Sequence, residues 1–393
     1  MAKKDFFKDS LKLHAKYKGK IETASKVSVK NTDDLATVYS PGVAQPCLEI
    51  AKNKELAKTL TIKSNTIAVV SDGSAVLGLG NIGPLAAIPV MEGKALLFKQ
   101  FANVDAFPIC LDTQTPSEII ETIRRIAPVF GGINLEDIAA PKCFEIEKEL
   151  QTLGIPVFHD DQHGTAIVIL AGLINACKVT GKNMKDLKIV INGAGAAGVA
   201  ILKLLKCVGY NKKVCTPVKE VILCDTKGAI HRGRTDLNVS KKELLLYSNP
   251  NHVRGDIKTV MRGADVFIGV SVGGLLTRDD IKSMASDPIV FAMANPIPEI
   301  MPAEALKGGA AVVGTGRSDL PNQVNNVLAF PGIFRGALDA GATMITPEMK
   351  MAAVHALANE VKKPNSNHIL PPCLNKKVAK VVAAAVAKAW IER

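Results

Sequence analysis

Two groups of residues in this chain have types and spacings suited to chemistry. The first is acidic and stands out in a chain of net charge +12: Glu136-Asp137 and Asp160-Asp161. Each pair closes a short apolar run, Gly131-Gly132-Ile133-Asn134-Leu135 in one case and Ile155-Pro156-Val157-Phe158 in the other. As adjacent parallel strands, these runs would bring the acids together in the crevice at their carboxyl ends. Uncompensated carboxylates repel, and a divalent cation resolves that repulsion; oxygen donors select Mg²⁺ or Mn²⁺ over zinc. Acids that merely cap the following helices have the same spacing, so spacing alone leaves both readings open. His159 and His163 flank the second pair at i, i+4. No glutamate follows His159, and Gly164 argues against a continuing helix, so supporting or packing roles are expected rather than a zinc site.

The second group is the turn Gly193-Ala194-Gly195-Ala196-Ala197-Gly198. Leu187 to Ile191 reads as a strand before it, Val199 to Leu205 as a helix after it, and Glu220 to Cys224 as the next strand, ending in Asp225. In that context the first glycine permits a tight turn, and the second lets backbone approach a pyrophosphate. The third lets the helix pack close with its amides facing the phosphates. Gly193, Gly195, Ala196, Ala197 and Gly198 are therefore expected to hold a dinucleotide, and hydride transfer is the chemistry that implies. Asp225 suits the ribose hydroxyls of NAD, whereas Lys227 suits a 2′-phosphate, so NAD and NADP both remain open.

The elements that position these groups are successive α/β units without repeats. Thr66 to Val70 and Ala95-Leu96-Leu97-Phe98 read as buried strands. A helix opened by Pro141, with Cys143, Ile146, Leu150 and Leu153 on one face and Gly154 past its end, joins the two acid-tipped strands. Further strands are expected at Val266 to Val270, Ile289 to Ala292 and Ala311 to Val313, and Thr346-Pro347 starts a helix. In the tail, Val378, Val381, Val382, Ala385 and Ala389 recur at helical spacing, so this helix must pack on something.

Composition narrows the class. Ala166 to Ile174 is the richest apolar run, far short of the roughly 20 residues that span a bilayer, so it reads as a buried helix and no membrane partner is expected. Met1 to Asp9 lacks a signal-peptide core, and the 8 cysteines contain no Cys-x-x-Cys pair. They read as small core residues in a reducing, cytoplasmic setting. Lysine and arginine are dispersed and aromatics are 4% of the chain, which speaks against a nucleic-acid partner.

Longer motifs then identify a relationship. Tyr39-Ser40-Pro41-Gly42-Val43-Ala44, Ser71-Asp72-Gly73-Ser74 through Pro84, Met91-Glu92-Gly93-Lys94, Phe130 to Asp137 and His159 to Thr165 closely resemble the short bacterial malic enzymes. Ala294-Asn295-Pro296 and Thr315 through Asn326 do so as well. The resemblance implies oxidative decarboxylation of L-malate to pyruvate and CO₂ with NAD or NADP and a Mg²⁺ or Mn²⁺ requirement, with malolactic conversion to lactate the nearest alternative and a catalytically inactive nucleotide-binding protein the other. It further implies Glu136, Asp137 and Asp161 as metal ligands, Lys94 as the base at the C2 hydroxyl and Tyr39 as the acid for the enolpyruvate carbon. Asp160 is implied to orient Lys94, and Asn295 and Asn326 to hold the substrate, Asn295 also touching the cofactor. A lysine base needs burial and nearby positive charge to lower its pKa. Longer relatives carry an arginine directly after Asp-Gly-Ser where this chain has Ala75; Arg317 or the asparagines are the candidates to take its place at the substrate carboxylate.

The fold class expected is α/β. Residues 1–160 form an α/β substrate and metal domain, and residues 161–393 a Rossmann-like nucleotide domain whose final helices pack back on the first. A homodimer is expected, because the apolar terminal helices need partners.

Overall fold

A computed structural model describes residues 5–393. Four strands form the first sheet: β1 (Thr66–Ser71), β2 (Asp105–Cys110), β3 (Gly132–Leu135) and β4 (Val157–His159), all parallel in the order β2-β1-β3-β4. Six form the second: β5 (Lys188–Asn192), β6 (Glu220–Asp225), β7 (Gly228–Ala229), β8 (Val266–Gly269), β9 (Ile289–Ala292) and β10 (Val312–Thr315). Their order, β10-β9-β8-β5-β6-β7, is that of a doubly wound nucleotide fold in which the short, antiparallel β7 takes the outer place beside β6. Helices cover both sheets, which is why their central strands are continuous apolar runs rather than alternating ones.

In the first half lie α1 (Phe6–Tyr17), α2 (Thr32–Val38), α3 (Ala44–Lys52), α4 (Gly83–Ala102), α5 (Pro116–Ile126) and α6 (Lys142–Leu150), besides short helical turns. The Ala95-Leu96-Leu97-Phe98 run, expected as a strand, is part of α4. Its buried residues Ala87, Met91, Ala95, Phe98 and Ala102 recur at helical spacing over the whole element, a period that the four-residue run conceals. The strand that does lie there is β2, which Pro108 disguised. Helix α6 buries Cys143, Ile146 and Leu150 as its spacing predicts, and Gly154 takes the left-handed conformation (φ +75°) that turns the chain into β4.

Beyond β4 come α7 (Asp160–Thr180), α8 (Ala196–Leu205), α9 (Phe330–Asp339), α10 (Pro347–Glu360) and α11 (Lys377–Ile391). Helix α7 begins at Asp160 and runs through Gly164, contrary to the expectation that Gly164 would interrupt it. Its 21 residues make it long and apolar enough to cross a bilayer, more than the Ala166 to Ile174 run suggests, but 67% of its most apolar stretch is buried in the protein. It packs against α8 and α10. In α11 the buried stripe is Val378, Val382 and Val386, while Val381 faces outward, and this stripe lies on α9 and α10. The final helices do return to the first sheet's layer: Phe334 of α9 packs edge-on against Phe98 of α4 (5.4 Å) and Phe158 of β4 (5.9 Å).

Two features depart from a simple buried-core picture. Cys207 and Cys215 form a disulfide, so the eight cysteines are not all free thiols; the chain doubles back after α8 and brings their Cα atoms to 5.7 Å. Cys143, Cys177 and Cys224 are buried as expected, whereas Cys47 is exposed. The second feature is the segment from Asp5 to Asn65, which contains α1 to α3 and has no buried residue although it carries Phe7, Leu11, Val27, Leu35, Tyr39 and Leu48.

Candidate active site

The carboxyl ends of β1, β3 and β4 meet as their sequence pattern requires. At the end of β1 the chain turns through Gly73, whose φ of +67° and 2.2 Å separation between an added Cβ and the Gly83 carbonyl admit only glycine. Ser74 Oγ then donates to Asp72 and accepts from the Ala139 amide (2.9 Å), tying this turn to the loop after β3. That loop carries Glu136 and Asp137, and the first turn of α7 carries Asp160 and Asp161. Oxygen atoms of Glu136, Asp137 and Asp161 lie within 4.8 Å of one another. Asp137 adopts φ +54°, uncommon for a non-glycine residue, and its amide donates to Asp161 Oδ2 at 2.7 Å. Its own Oδ2 is buried without a partner.

This carboxylate group is electrostatically loaded. Burial, then the neighbouring acids, pushes Glu136 well above the carboxylate range despite Lys94, and burial followed by Asp161 pushes Asp137 up to about 7. Asp161 is held below its ordinary value: burial is more than offset by His159, whose Nε2 stands 3.1 Å from Asp161 Oδ2. Three converging carboxylates, one with a free oxygen, fit a hard divalent cation bound by Glu136, Asp137 and Asp161.

Lys94 reaches the group from α4. Its ammonium bonds Asp160, lies 3.0 Å from Glu136 Oε1 and sits over the Phe330 ring at 4.5 Å. Burial favours the neutral amine, but Asp160, Glu136 and Asp161 outweigh it and hold Lys94 above its ordinary value. The expected lowering is therefore absent from this arrangement, where every charge facing Lys94 is negative. Gly164 explains how Asp160 fits: a Cβ there would lie 1.8 Å from Asp160 Oδ1.

Behind Asp161 runs a chain of contacts that single motifs do not disclose. Gln162 Nε2 approaches His159 Nδ1 (2.7 Å) and donates to Glu147 Oε2 (3.0 Å), while Glu147 Oε1 pairs with His163 Nε2 at 2.8 Å. Both histidines thus support the acids, as expected. Glu147 was legible only as a polar position on α6, and the i, i+4 histidines were the sole clue to its partner.

In the nucleotide half, Gly193 has φ +122°, and a Cβ on Gly198 would stand 1.7 Å from the Gly193 carbonyl. Around Gly195, by contrast, an added Cβ meets nothing within 4 Å, leaving the turn open where a pyrophosphate approaches. Gly195, Ala196 and Ala197 line a cavity of about 810 Å³ that also contains Lys94, Glu136, Asp137 and Asp161. Asn295 and Asn326 line it too.

Three expected groups are placed elsewhere or engaged otherwise. Tyr39 is 68% exposed and does not line the cavity. Arg317 is committed to Asp319 (2.7 and 2.9 Å) and the Pro296 carbonyl and is absent from the cavity wall. Asp225 is not free to accept ribose hydroxyls, because Arg234 grips both its oxygens (2.7 and 3.1 Å) and Lys241 adds a further contact at 2.5 Å. Lys227 pairs with Asp236 at 3.0 Å. A cation the motifs did not single out, Lys20, does line the cavity, its ammonium on the Pro89 carbonyl.

Comparison with known proteins agrees with this construction. Residues 18–120 and 113–151 match the family model described as malic enzyme, N-terminal domain, and residues 162–391 match malic enzyme, NAD binding domain. A bifunctional malic/malolactic enzyme of Bacillus subtilis is 56% identical over 98% of this chain and 93% of its own length. An NAD-dependent malic enzyme of Geobacillus stearothermophilus is 57% identical over 94% of this chain and 76% of its own. The crystal structure of an NAD-dependent malic enzyme from Thermotoga maritima superposes with a TM-score of 0.91 at 48% identity, covering 96% of this chain and 98% of that one. With both domain models matched in order and relatives more than half identical over most of the chain, the chain belongs to the malic enzyme family.

Proposed function

We propose that this chain converts L-malate to pyruvate and CO₂ while reducing NAD⁺ or NADP⁺. The observation that carries the reading is the single cavity that holds the carboxylate group, Lys94, Asn295, Asn326 and the nucleotide turn. A substrate there touches both halves of the chemistry.

Glu136, Asp137 and Asp161 would hold Mg²⁺ or Mn²⁺, which when bound supplies positive charge to polarise the C2 oxygen and stabilise the enolate left after CO₂ departs. The turn at Gly193 to Gly198 would hold the pyrophosphate of NAD⁺ or NADP⁺, whose nicotinamide would supply the hydride acceptor. With the cation bound, its charge would offset Asp160, Glu136 and Asp161, so that burial favours the neutral amine and Lys94 Nζ can receive the C2 hydroxyl proton; Asp160 fixes the direction of that nitrogen. The carboxamides of Asn295 and Asn326 orient the substrate between lysine and nicotinamide. The C3–C4 bond then breaks, CO₂ leaves, and its electron pair ends on C3, which takes a proton from a tyrosine. Supplied with malate, NAD⁺ and Mn²⁺, the enzyme is expected to accumulate NADH and pyruvate in equal amounts. Lactate without net NADH would assign the malolactic alternative, which the Bacillus subtilis relative's bifunctional name keeps in view.

The tyrosine is Tyr39, and its exposure favours delivery from a second copy. No residue of the Asp5 to Asn65 arm is fully buried in its own protomer, although Lys20 contacts Glu92 and Pro89, and the arm presents exposed apolar side chains. In a homodimer the arm would pack on the other protomer and bring Tyr39 of the partner subunit to the Lys94 cavity. Mixing Tyr39→Phe with Lys94→Ala, each inactive alone, would then regenerate about a quarter of wild-type activity by random reassortment. Failure to regenerate activity from a demonstrated heterodimer would place Tyr39 in its own protomer's site.

For cofactor choice, Arg234 and Lys241 neutralise Asp225, so that this acid does not repel a 2′-phosphate. Both cofactors are therefore accepted, with kcat/KM values to be compared at saturating malate.

A further inference from the structure

On the far side of α7 lies a second cavity of about 640 Å³, enclosed by α6, α7, α8 and the start of α10. It shares no lining residue with the substrate cavity. Its inner wall holds donors without acceptors. The ammonium of Lys350, on the first turns of α10, has no hydrogen bond and no ion pair among the described residues. Burial holds its ammonium below the ordinary lysine range, and Glu147 only partly offsets this. Glu147 makes no hydrogen bond or ion pair with Lys350; its Oε1 pairs with His163 and its Oε2 accepts from Gln162. The Tyr210 hydroxyl also lacks a hydrogen-bond partner among the described residues, and burial, with Glu348 and Glu147, keeps it protonated and hence a donor. Lys203, an exposed side chain that also lines the cavity, has the Phe144 ring at 5.9 Å. Lys148 and the acids Glu145, Glu149 and Glu243 complete the charged lining, and these four are exposed. A half-buried cation and a phenol facing empty space are what a small oxyanion satisfies.

We propose that this cavity binds a small phosphate- or carboxylate-type anion through Lys350, Tyr210 and Lys203, and that occupancy is transmitted to the acid cluster along Glu147, Gln162, His159 and Asp161. Lys350 and Glu147 line the same cavity, Gln162 bridges Glu147 to His159, and His159 stands 3.1 Å from Asp161. An anion on Lys350 removes positive field from Glu147, and the chain carries that change to a side chain of the active cavity. The binding half stands whatever reaction the enzyme catalyses; only the transmitted half rests on the metal reading above.

Inorganic phosphate and succinate are the two probes, each added to the intact enzyme while its thermal unfolding midpoint is followed. At least one should raise the midpoint of both wild type and Lys94→Ala, and the loss of that rise in the variants below separates this cavity from the substrate cavity and the nucleotide turn. Lys350→Met and Tyr210→Phe should lose that rise while keeping kcat within about twofold of wild type, since neither side chain touches the reacting groups. Response to phosphate alone marks a phosphate ligand, and response to succinate alone a dicarboxylate. If neither probe stabilises the wild type, or both stabilise Lys350→Met as well, the site is refuted. For transmission, the effective probe should shift the Mg²⁺ half-saturation concentration by about fivefold in wild type. Gln162→Leu should still be stabilised by the probe yet show no such shift. An unshifted Mg²⁺ requirement in wild type would refute the transmission and leave the anion site standing.

Discussion

At the scale of single residues, the chemistry rests on charges that the fold forces together. Asp161 is the carboxylate whose charge the surroundings favour, being held below its ordinary value by His159, whereas burial and mutual repulsion push Glu136 and Asp137 up. Replacing it removes the oxygen most ready to bind a cation. Asp161→Asn should raise the Mn²⁺ concentration for half-maximal activity at least about tenfold; an unchanged requirement would remove Asp161 from the ligand set. Arg234 offers a second test. Its loss frees Asp225 to accept ribose hydroxyls and to repel a 2′-phosphate. Arg234→Ala should therefore lower kcat/KM for NADP⁺ relative to NAD⁺ by about tenfold, and equal losses with both cofactors would mean that the pair is structural only. Much of this layer was readable from types and spacing: the acids, the glycines, and through family resemblance Lys94 and the asparagines. Partnership was not. Nothing in sequence says that Arg234 and Lys241 consume Asp225, that Arg317 turns to Asp319, or that Lys94 faces only negative charge, because these pairings join segments set by tertiary folding.

At the scale of elements, the site is held by helix starts and strand ends, and the errors of sequence reading have local causes. The strands β1, β3, β4, β5, β6, β8, β9 and β10 are β-branched or apolar runs bounded by turn residues, so they are legible. Helix α4 was misread in part because a short apolar run carries no period, and Gly164 was misread because glycine usually weakens a helix. Here it makes room for the Asp160 carboxylate. The α9 helix shows how the end of the chain steadies the site. Its Phe330 lies under Lys94, and Phe334, fully buried, wedges between Phe98 and Phe158. Phe334→Ala should cost about 3–5 kcal/mol of stability, read from urea unfolding. Because the ring joins both halves, their spectroscopic transitions should fall together, and a loss below about 1 kcal/mol would mean that the layers refill the gap without strain.

At the scale of the whole molecule, two mainly parallel sheets present their carboxyl ends to one cavity, so the glycine turn, the carboxylates and the two asparagines line it together. The N-terminal arm is the exception. Sequence marked Tyr39 by resemblance, but a motif cannot say which copy of a chain will use it. On the proposed placement of Tyr39 in the partner's site, catalysis answers to mass action. If Tyr39 works across subunits, specific activity is no fixed property of the polypeptide: it should fall on dilution towards the dissociation constant of the dimer, recover on concentration, and lose that dependence when two copies are covalently linked.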